Sequence, residues 1–535
     1  MSTLWKMLVM VHQCSRRAFW LRVVYVVLQS LLPLAGIYVL KLLVDNLSDF
    51  HNTALYVVCY VAIFFFGRLL STLASVNNDI LSQRLVDYIS DRIQRQSSRL
   101  DLAYYDNPAF HDTFHRAQQE SSYRPLEVLN NFMALFGSIV TLAGVVVLLG
   151  AVSGWVILLM VAAVLPSFFV RLAKARRIYT FRRGNTQVYR RTAYYSALLT
   201  HRDFAKEVRQ YGLSGYIRGL YVDIRRGLVV RLLRISRRLA WYDALCAAVE
   251  SAALLSVLLL FVQRAYVGAI TVGSFVMLFE AFRRGQSSLQ SLVRSVAGLY
   301  DNRLFAGNLF EFLALEPRLV SPSDPMPFPE QVDCVEFRNV SFRYPDMDRD
   351  VLTRFSLTAR RGTVCHIEGE NGYGKSTLMK LLMRFYDPDD GVVCINGIDI
   401  RRFDLTELRR HIGVLFQDFV RYHFTASDNI AFGDITAPPS RDRVVSAARQ
   451  AGVEHILESL PDGYDTMLGR LYTGGEELSM GQWQRVALAR LYYSDAPILI
   501  LDEPTAWMDV TARAHFDSIV STLQQQKLIF LIQHI

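Results

Sequence analysis

One glycine-rich segment has the spacing of a phosphate-binding loop. In VCHIEGENGYGKST (364–377), Gly369, Gly374, Lys375 and Ser376 fit the pattern G-x4-G-K-S. A strand-like apolar run precedes this loop, and the helix-like TLMKLLMRF overlaps its end. Glycines let backbone N–H groups close around phosphate oxygens, and the start of a helix adds favourable partial charge. We therefore expect Lys375 to bind the outer phosphates of a nucleotide and Ser376 to ligate Mg²⁺.

A pair of acidic residues follows an apolar run further along the chain. In ILILDEPT (498–505), the apolar residues predict a buried strand that delivers Asp502 to its end. There Asp502 can hold Mg²⁺ through water, and Glu503 can orient or deprotonate an attacking water. Paired acids at a strand end are often structural caps. The phosphate loop upstream favours the catalytic interpretation.

A third motif, ELSMGQWQRVALAR (477–490), completes a family pattern. With it the chain resembles a half-size ATP-binding cassette (ABC) exporter over essentially its whole length, most closely the bacterial exporters of lantibiotics and other modified peptides. The resemblance implies that Ser479 and Gly481 contact the γ-phosphate of ATP bound on a partner chain. A hydroxyl and backbone amides at the start of a helix suit an anion.

Further site residues follow from the resemblance, position by position. Tyr344 stands where the family stacks an aromatic ring on adenine, and Gln417 where a glutamine reaches Mg²⁺ and the attacking water. Asp509 matches an acidic residue of the following loop, although Ala506-Trp507-Met508 departs from the usual Ser-Ala-Leu. The implied ATP site comprises Tyr344, Gly369, Glu370, Asn371, Gly372, Tyr373, Gly374, Lys375, Ser376, Thr377, Ser479, Gly481 and Gln482, and the implied Mg²⁺ ligands are Ser376, Gln417 and Asp502.

The last histidine also acquires a role by resemblance. His534 lies 31 residues after Glu503, at the end of the next strand-like run, LIFLI. The family places a histidine there that contacts the γ-phosphate, and such a group can hold the geometry of the water. The implied catalytic residues are Glu503, His534 and Gln417. Family members continue past this point, so the given sequence is expected to be truncated after the histidine.

The composition predicts a membrane protein. Hydrophobic residues make up 52% of the 535 residues and charged residues 20%. Six apolar segments are long enough, or nearly so, to cross a bilayer. They lie at 19–44, 55–76, 132–149, 155–170, 239–262 and 266–282.

Charge predicts the orientation of these segments. The connections 77–131 and 171–238 carry six and eighteen Lys and Arg, whereas 45–54 and 150–154 carry none. The long connections are therefore expected in the cytoplasm, as helical extensions of the spans. Residues 1–330 have a net charge of +15 and residues 331–535 of −6. Juxtamembrane charge explains this basic part, so no nucleic-acid partner is expected.

These features predict a fold class and a division of the chain. A six-span helical transmembrane domain (1–316) is followed by a Pro- and Ser-rich linker (317–331) and an α/β P-loop nucleotide-binding domain (332–535). By resemblance the protein is a multi-pass ATPase of the bacterial cytoplasmic (inner) membrane, with this domain in the cytoplasm. It is expected to pair with a second copy of itself, because each site needs Ser479 from the other chain.

The expected function is ATP-driven export by alternating access, with a modified peptide as the substrate. Export of a lipid or hydrophobic drug is the alternative. A non-pumping, ATP-gated regulator is disfavoured because Glu503 and His534 are both present. A soluble DNA-repair ATPase is disfavoured by the apolar segments.

Three ionisable residues fall inside the apolar segments: Arg68, Glu250 and Glu280. Such groups are costly in a bilayer and usually face a partner or a wet cavity. One hypothesis is that Arg68 pairs with one glutamate while the other attracts cationic cargo. The other is that all three are locked in structural pairs.

The acidic pair generates a first prediction. Glu503→Gln is expected to bind ATP normally but to hydrolyse it at least about 100-fold more slowly, because the amide cannot accept the proton of the water. ATPase assays and nucleotide-binding titrations on the purified protein measure both quantities. Near-normal turnover would remove Glu503 from the catalytic role.

Overall fold

The computed structural model describes residues 3–107, 110, 114, 124–150, 154–345, 347–370 and 374–533. The chain divides into two compact units. The first comprises Met1–Ser98 and Asp112–Leu315, and the second comprises Arg99–His111 and Glu316–Ile535. A short segment of the amino-terminal half, Arg99–His111, therefore packs with the carboxy-terminal unit.

The described part of the first unit is helical. Its helices are α1 (Thr3–Cys14), α2 (Arg16–Asp45), α3 (Phe50–Arg99), α5 (Arg124–Gly150), α6 (Gly154–Gly184), α7 (Thr186–Thr200), α8 (Ala205–Gln210), α9 (Ser214–Tyr266) and α10 (Val272–Leu313). At about 1.5 Å per residue, the 53 residues of α9 extend over about 80 Å. A hydrocarbon layer is about 30 Å thick, so α9 is long enough to continue well beyond a membrane, as the sequence predicts.

Helices α2, α3, α5, α6 and α9 each contain a stretch that is long and apolar enough to cross a membrane. These stretches correspond to the first five predicted segments. Many of their apolar side chains point outward: Phe64, Phe65 and Phe66 of α3 are each more than half exposed. Outward apolar side chains suit a surface in contact with lipid or with another apolar chain.

The predicted segment 266–282 begins too early. Helix α9 ends at Tyr266, and α10 begins only at Val272. The chain turns between them, with Gly268 at a φ of +73°. Thr271 then caps α10, because its side-chain oxygen accepts a hydrogen bond from the Ser274 N–H (3.1 Å). Hydrophobicity along the sequence does not register this turn and cap.

Small residues allow the helices of the first unit to approach closely. A Cβ atom added to Gly144 of α5 would lie 2.2 Å from a methyl group of Leu34 in α2, and one on Gly298 of α10 would lie 2.6 Å from the Asn131 amide nitrogen in α5. Small residues at helix contacts let backbones pack tightly where no water drives association.

The second unit contains two sheets. Its strands are β1 (Cys334–Phe342), β2 (Leu352–Arg360), β3 (Val364–Ile367), β4 (Asp390–Ile395), β5 (Ile398–Asp399), β6 (Ile412–Leu415), β7 (Ile498–Asp502) and β8 (Leu528–Ile532). Antiparallel pairing gives the order β2-β1-β4-β5, and parallel pairing gives β3-β8-β7-β6. The parallel strands β7 and β8 are almost wholly buried, which explains their continuous apolar runs.

Helices cover these sheets. They are α4 (Leu102–Tyr105), α11 (Lys375–Leu382), α12 (Leu405–Arg410), α13 (Ala426–Ala431), α14 (Arg441–Gln450), α15 (Glu454–Glu458), α16 (Met480–Tyr493) and α17 (Val510–Leu523). One core cluster surrounds Phe337, Leu381 and Phe530, and another surrounds Trp483 and Leu488. The sheet edge that carries the catalytic motifs is therefore fixed by packing on both sides.

Asp404 ties the start of α12 to the segment before β1. Its carboxylate accepts hydrogen bonds from the N–H groups of Thr406 (2.9 Å) and Glu407 (3.0 Å) and from the Ser321 hydroxyl (2.8 Å). The hydrogen bonds from the backbone, Glu407 N–H first, and from Ser321 lower the pKa of this carboxyl. The ionised cap therefore stabilises the folded state.

We expect Asp404→Ala to lower the stability of the second unit by about 1 kcal/mol near neutral pH. A depressed folded-state pKa contributes stability above the unfolded pKa of about 3.9, and this stability is lost as pH falls through the folded-state pKa. The difference in Tm from wild type should therefore shrink in acid. Thermal unfolding of the protein in nanodiscs, from neutral pH into acid, measures this Tm difference. Asp517→Ala, at an exposed position, is the matched control. An equal Tm difference at all pH values would contradict the ionised cap.

Candidate functional site

Parallel pairing brings the ends of four strands to one edge of the sheet. Ile367, at the end of β3, pairs with Ile532 of β8, which pairs with Asp502 of β7. Leu415 of β6 pairs with Leu501 on the other side of β7. The segments that follow these strands contain the phosphate loop, His534, Glu503 and Gln417. The described ends of these strands are thus neighbours at a carboxyl edge, where ligands bind in α/β sheets.

The phosphate loop leads directly from β3 into α11. Gly369 and Gly374 have φ values of +153° and +81°, and Gly374 is the residue before the first turn of α11. A Cβ on Gly374 would lie 2.9 Å from a methyl group of Leu352, so both the conformation and the space require glycine. Asn371, Gly372 and Tyr373 lie outside the described residues.

Lys375, Ser376 and Thr377 form the first turn of α11. Lys375 is 7% exposed, and its ammonium donates a hydrogen bond to the carbonyl of Gly369, so it points back into the loop. Ser376 is exposed at the helix start, and Thr377 is buried. The cationic side chain and the helix N-terminus favour an anion here. Glu370 is exposed.

Tyr344 lies beside this turn. Its hydroxyl is 3.1 Å from the Thr377 hydroxyl, and the Lys380 ammonium lies 5.3 Å from the centre of its ring. The ring also packs edge-on against Tyr386, with the centroids 5.3 Å apart. Tyr344 is half-buried, so part of its ring remains accessible.

The aromatic pair connects to the segment Arg99–His111. The Tyr386 hydroxyl donates a hydrogen bond to the carboxylate of Asp106. Burial, and then this bond, raise the pKa of Tyr386 above its ordinary value. Asp101 in the same segment accepts a hydrogen bond from the Arg318 N–H (2.5 Å). The sequence predicted a role for Tyr344 but not for Tyr386 or Asp106, because neither of these two belongs to a motif.

Asp502 and Glu503 occupy the end of β7 and the residue after it. Glu503 has a φ of +47°, in the left-handed region that costs a non-glycine residue about 1–3 kcal/mol. Its N–H donates to the carbonyl of Ile532 (3.1 Å), which holds this conformation against β8. Such strain is concentrated at functional sites.

Gln417 and His534 belong to the segments beyond the neighbouring strands. Gln417 lies two residues after the end of β6 and is exposed. His534 is two residues past the end of β8 and lies outside the described residues. Ser376, Gln417 and Asp502 all offer oxygen atoms, the ligands that Mg²⁺ prefers when it is held by one or two carboxylates together with phosphates. These residue types therefore fit a nucleotide-bound Mg²⁺.

Ser479 caps α16. Its hydroxyl accepts from the Gln482 N–H (3.3 Å), and the Gln482 side chain accepts from the Ser479 N–H (2.8 Å), which forms a capping box. Gly481 follows in the first turn, and a Cβ there would lie 2.5 Å from the Trp507 carbonyl oxygen. Glycine is therefore required by the loop after β7. Asp509 in turn caps α17 through the Ala512 N–H (2.7 Å).

Gln484 is a site residue that sequence reasoning missed. It is 2% exposed, and its amide donates to the Glu503 carbonyl (3.3 Å) and accepts from the Trp507 N–H (3.3 Å). Gln484 thereby attaches the loop that carries Glu503 to helix α16 at two points. Its sequence signal is a polar residue on the otherwise buried face of α16.

Of the two hypotheses for the ionisable residues of the apolar segments, the one that pairs Arg68 with a glutamate is not what the structure shows. Glu280 forms an ion pair with Arg283 (2.8 Å), and Glu250, which is 8% exposed, accepts a hydrogen bond from the Gln290 amide (2.6 Å). Among the described residues neither glutamate pairs with Arg68, so the predicted pair is wrong. Arg68 and Glu280 do line one cavity of about 540 Å³ in the first unit.

Gln484 generates a prediction about catalysis. Gln484→Leu should lower ATP turnover about tenfold and leave ATP affinity within about threefold, because Glu503 loses its support while the phosphate loop is unchanged. Gln484→Glu, which can still accept from Trp507, should lie between Leu and wild type. The exposed Gln525→Leu serves as the control. Equal losses of affinity and turnover would indicate a general folding defect.

Comparisons with known proteins identify several similar chains. Residues 352–506 match the ABC transporter family. The subtilin transport ATP-binding protein SpaT of Bacillus subtilis is 28% identical, over 97% of this chain and 85% of that protein. The nisin transport ATP-binding protein NisT of Lactococcus lactis is 26% identical, over 99% and 89%.

Two further likenesses concern lipid transport and fold. The ATP-dependent lipid A-core flippase of Pseudomonas aeruginosa is 29% identical, over 71% of this chain and 62% of that protein. The solved structure of a bacterial Atm1-family ABC exporter with ATP bound superposes with a TM-score of 0.78 at 23% identity, over 96% of this chain and 91% of that one. With this exporter fold and its cassette motifs, the chain belongs to the half-size ABC exporters, ATPases that couple hydrolysis to transport across a membrane.

Proposed function

We propose that this exporter moves a modified peptide across the bacterial cytoplasmic membrane. The observation that carries the proposal is the likeness to SpaT and NisT, named as subtilin and nisin transport proteins, over nearly the whole length of all three chains. Likeness to lipid A-core flippases reaches a similar identity but covers less of each chain. Lipid or hydrophobic drug export is therefore the second candidate.

The proposed hydrolysis uses the residues at the sheet edge. Lys375 and the N–H groups at the start of α11 hold the outer phosphates and stabilise the charge that develops on them. Glu503 orients a water and accepts its proton as the oxygen bonds to the γ-phosphorus and the bond to the leaving ADP oxygen breaks. Gln417 and His534 fix the water and the γ-phosphate.

Mg²⁺ is part of this proposal. Ser376, Asp502 and Gln417 would hold it, the carboxylate through water, and it would neutralise charge on the phosphate oxygens when bound. Tyr344 is proposed to stack on adenine through the accessible part of its ring. The Lys380 ammonium over the same ring would reinforce a stacked, electron-rich base.

The proposed working form is a homodimer. Ser479 and Gly481 lie at the start of α16 with N–H groups that suit a γ-phosphate, and in this proposal they act on ATP held by the other copy. The chain carries both halves of such a site, so two identical copies complete two sites. Closure of the two cassettes on ATP would turn the transport cavity outward, and hydrolysis would reset it.

Coupling between nucleotide and transport is proposed to run through Arg99–His111. This segment bonds to Tyr386 through Asp106, and Tyr386 packs on Tyr344 beside the phosphate loop. A change in how Tyr344 holds adenine would therefore reach the segment through two contacts. Rigid contacts of this kind carry coupling only when the element that they join has two arrangements. In this proposal the open and the closed cassettes provide these two arrangements.

Vesicle uptake tests the proposal directly. Inside-out vesicles that contain the protein should accumulate a lanthionine-containing precursor peptide in an ATP-dependent manner, because export from the cytoplasm becomes uptake into such vesicles. Vesicles with Glu503→Gln at matched abundance should show less than about a tenth of the wild-type rate. Accumulation of a fluorescent lipid or drug instead of the peptide would favour the second candidate.

A further inference from the structure

We infer that the first, helical unit (the membrane unit) binds anionic groups, so that the cargo is a peptide bearing carboxylates. This inference rests on the proposed export of a peptide and specifies its charge. It is carried by two cavities of the first unit and by the side chains that line them. Both lie along helix α10.

Helix α10 has a polar stripe on one face. From one helical turn to the next its members recur every three or four residues, which places them on the same side of a helix. They are Glu280, Arg283, Arg284, Ser287, Ser288, Ser291 and Arg294.

The stripe faces two adjoining cavities. The first, of about 540 Å³, is called the Arg68 cavity and is lined by Arg68, Glu280, Arg283 and Arg284 together with apolar residues such as Phe64. The second, of about 360 Å³, is called the Arg294 cavity and is lined by Arg22, Arg284 and Arg294 together with hydroxyl and amide groups. Arg284 and Gln29 line both. The two cavities therefore share a cationic wall.

Positive charge exceeds negative charge along this wall. Among the residues that the structure describes, Glu280 is the only acidic one that lines either cavity, and it is neutralised by Arg283 at 2.8 Å. Within the described chain no carboxylate pairs with the other arginines. These are Arg22, Arg68, Arg284 and Arg294.

The arginines also retain unused donors. The Nε atoms of Arg22 and Arg284 are buried and have no acceptor among the described residues, although another nitrogen of Arg22 donates to the Ala74 carbonyl (3.2 Å). Buried cationic donors without a counter-ion are costly in a membrane unit, and they usually mark the path of a charged substrate. A guanidinium presents paired N–H groups that match a carboxylate or a phosphate.

The lining of the Arg294 cavity favours a peptide over a lipid. Ser287, Ser288, Ser291 and Thr141 offer hydroxyls, and the Asn130 side-chain oxygen is buried without a donor in the described structure. A peptide backbone has N–H and C=O groups along its whole length that satisfy such positions, whereas an acyl chain has none. The apolar side of the Arg68 cavity would take the peptide's apolar side chains.

The sequence hypothesis of cationic cargo is reversed by these contacts. It relied on Glu250 or Glu280 as a free carboxylate. Glu280 is held by Arg283, and Glu250 by the Gln290 amide. Glu280 is neutralised and Glu250 is buried outside the lining of both cavities, while Arg68 and Arg284 line them without a carboxylate partner among the described residues.

A peptide series of equal length and apolar content tests the charge preference. Its members carry Glu, Gln or Lys at the same positions, and binding to the full chain in phosphatidylcholine nanodiscs is followed by fluorescence anisotropy. We expect the Glu peptide to bind about tenfold more tightly than the Gln peptide, and the Lys peptide to bind most weakly. Added salt should reduce the preference. Tighter binding of the Lys peptide would overturn the inference.

Arginine variants test the site. Arg284→Gln and Arg68→Gln should each weaken binding of the Glu peptide about five- to tenfold and leave the Gln peptide unchanged, and Arg284→Lys should retain part of the affinity. Arg303→Gln, an exposed arginine of α10 that lines neither cavity, is the matched control. If Arg284→Gln fails to assemble, the exposed Arg68→Gln decides. Equal effects on the Glu and Gln peptides would overturn the site.

The remaining outcomes separate this inference from the proposed function. Binding of the Glu peptide that depends on Arg284, without ATP-dependent uptake of any peptide, would contradict peptide export and support the anion site. Uptake of a Lys peptide that is insensitive to the arginine variants would support export and overturn the anion site. If phosphatidylglycerol displaces the labelled Glu peptide but unlabelled Glu peptide does not, the cavities bind an anionic lipid. This result would overturn the peptide assignment.

Discussion

Parallel pairing of β3, β8, β7 and β6 is the constraint on which the catalytic site depends. Each strand alone only delivers a segment to its carboxyl end, and β8 must lie between β3 and β7 before the phosphate loop and Asp502 share an edge. The strands are short, four or five residues each, so their order is maintained largely by the burial of β6, β7 and β8. A shift of one residue in β8 would displace the Ile532 carbonyl that holds the Glu503 N–H.

The strained turn at Glu503 illustrates how the site is supported. A left-handed glutamate is unfavourable by itself, so neighbouring contacts must hold it. Ile532 does so from β8, and Gln484 does so from α16. The helix that begins at Ser479 is therefore joined directly to the loop that carries the proposed base. A movement of Ser479 relative to this loop would be resisted by the Gln484 hydrogen bonds and by the contact between Gly481 and Trp507.

The sequence predicted the parts of this protein whose physics is local. The strand and helix that flank the phosphate loop, the apolar strand before Asp502 and the long apolar helices each follow from residues close together in the chain, and the fold contains all of them. The start of α10 was missed because an apolar average does not register a single Thr271 cap. Gln484, Tyr386 and Asp106 were missed because their partners are distant in sequence, and no spacing rule describes such contacts.

Charge inside the membrane unit shows most clearly the difference between what a local sequence pattern predicts and what the contacts in the folded chain decide. A carboxylate in an apolar segment attracts attention, yet Glu280 has an arginine three residues later on its own helix and is neutralised there. Arg284, four residues after Glu280, lies on the same face, but Glu280 pairs with Arg283, and the neighbours of Arg284 further along are Ser287, Ser288 and Ser291, which cannot neutralise it. One glutamate therefore faces two arginines on this helix, and one positive charge remains after folding. Counting acids and bases in an apolar segment predicts that some charge must be satisfied; only the face on which each residue lies predicts that the uncompensated charge of these cavities is positive.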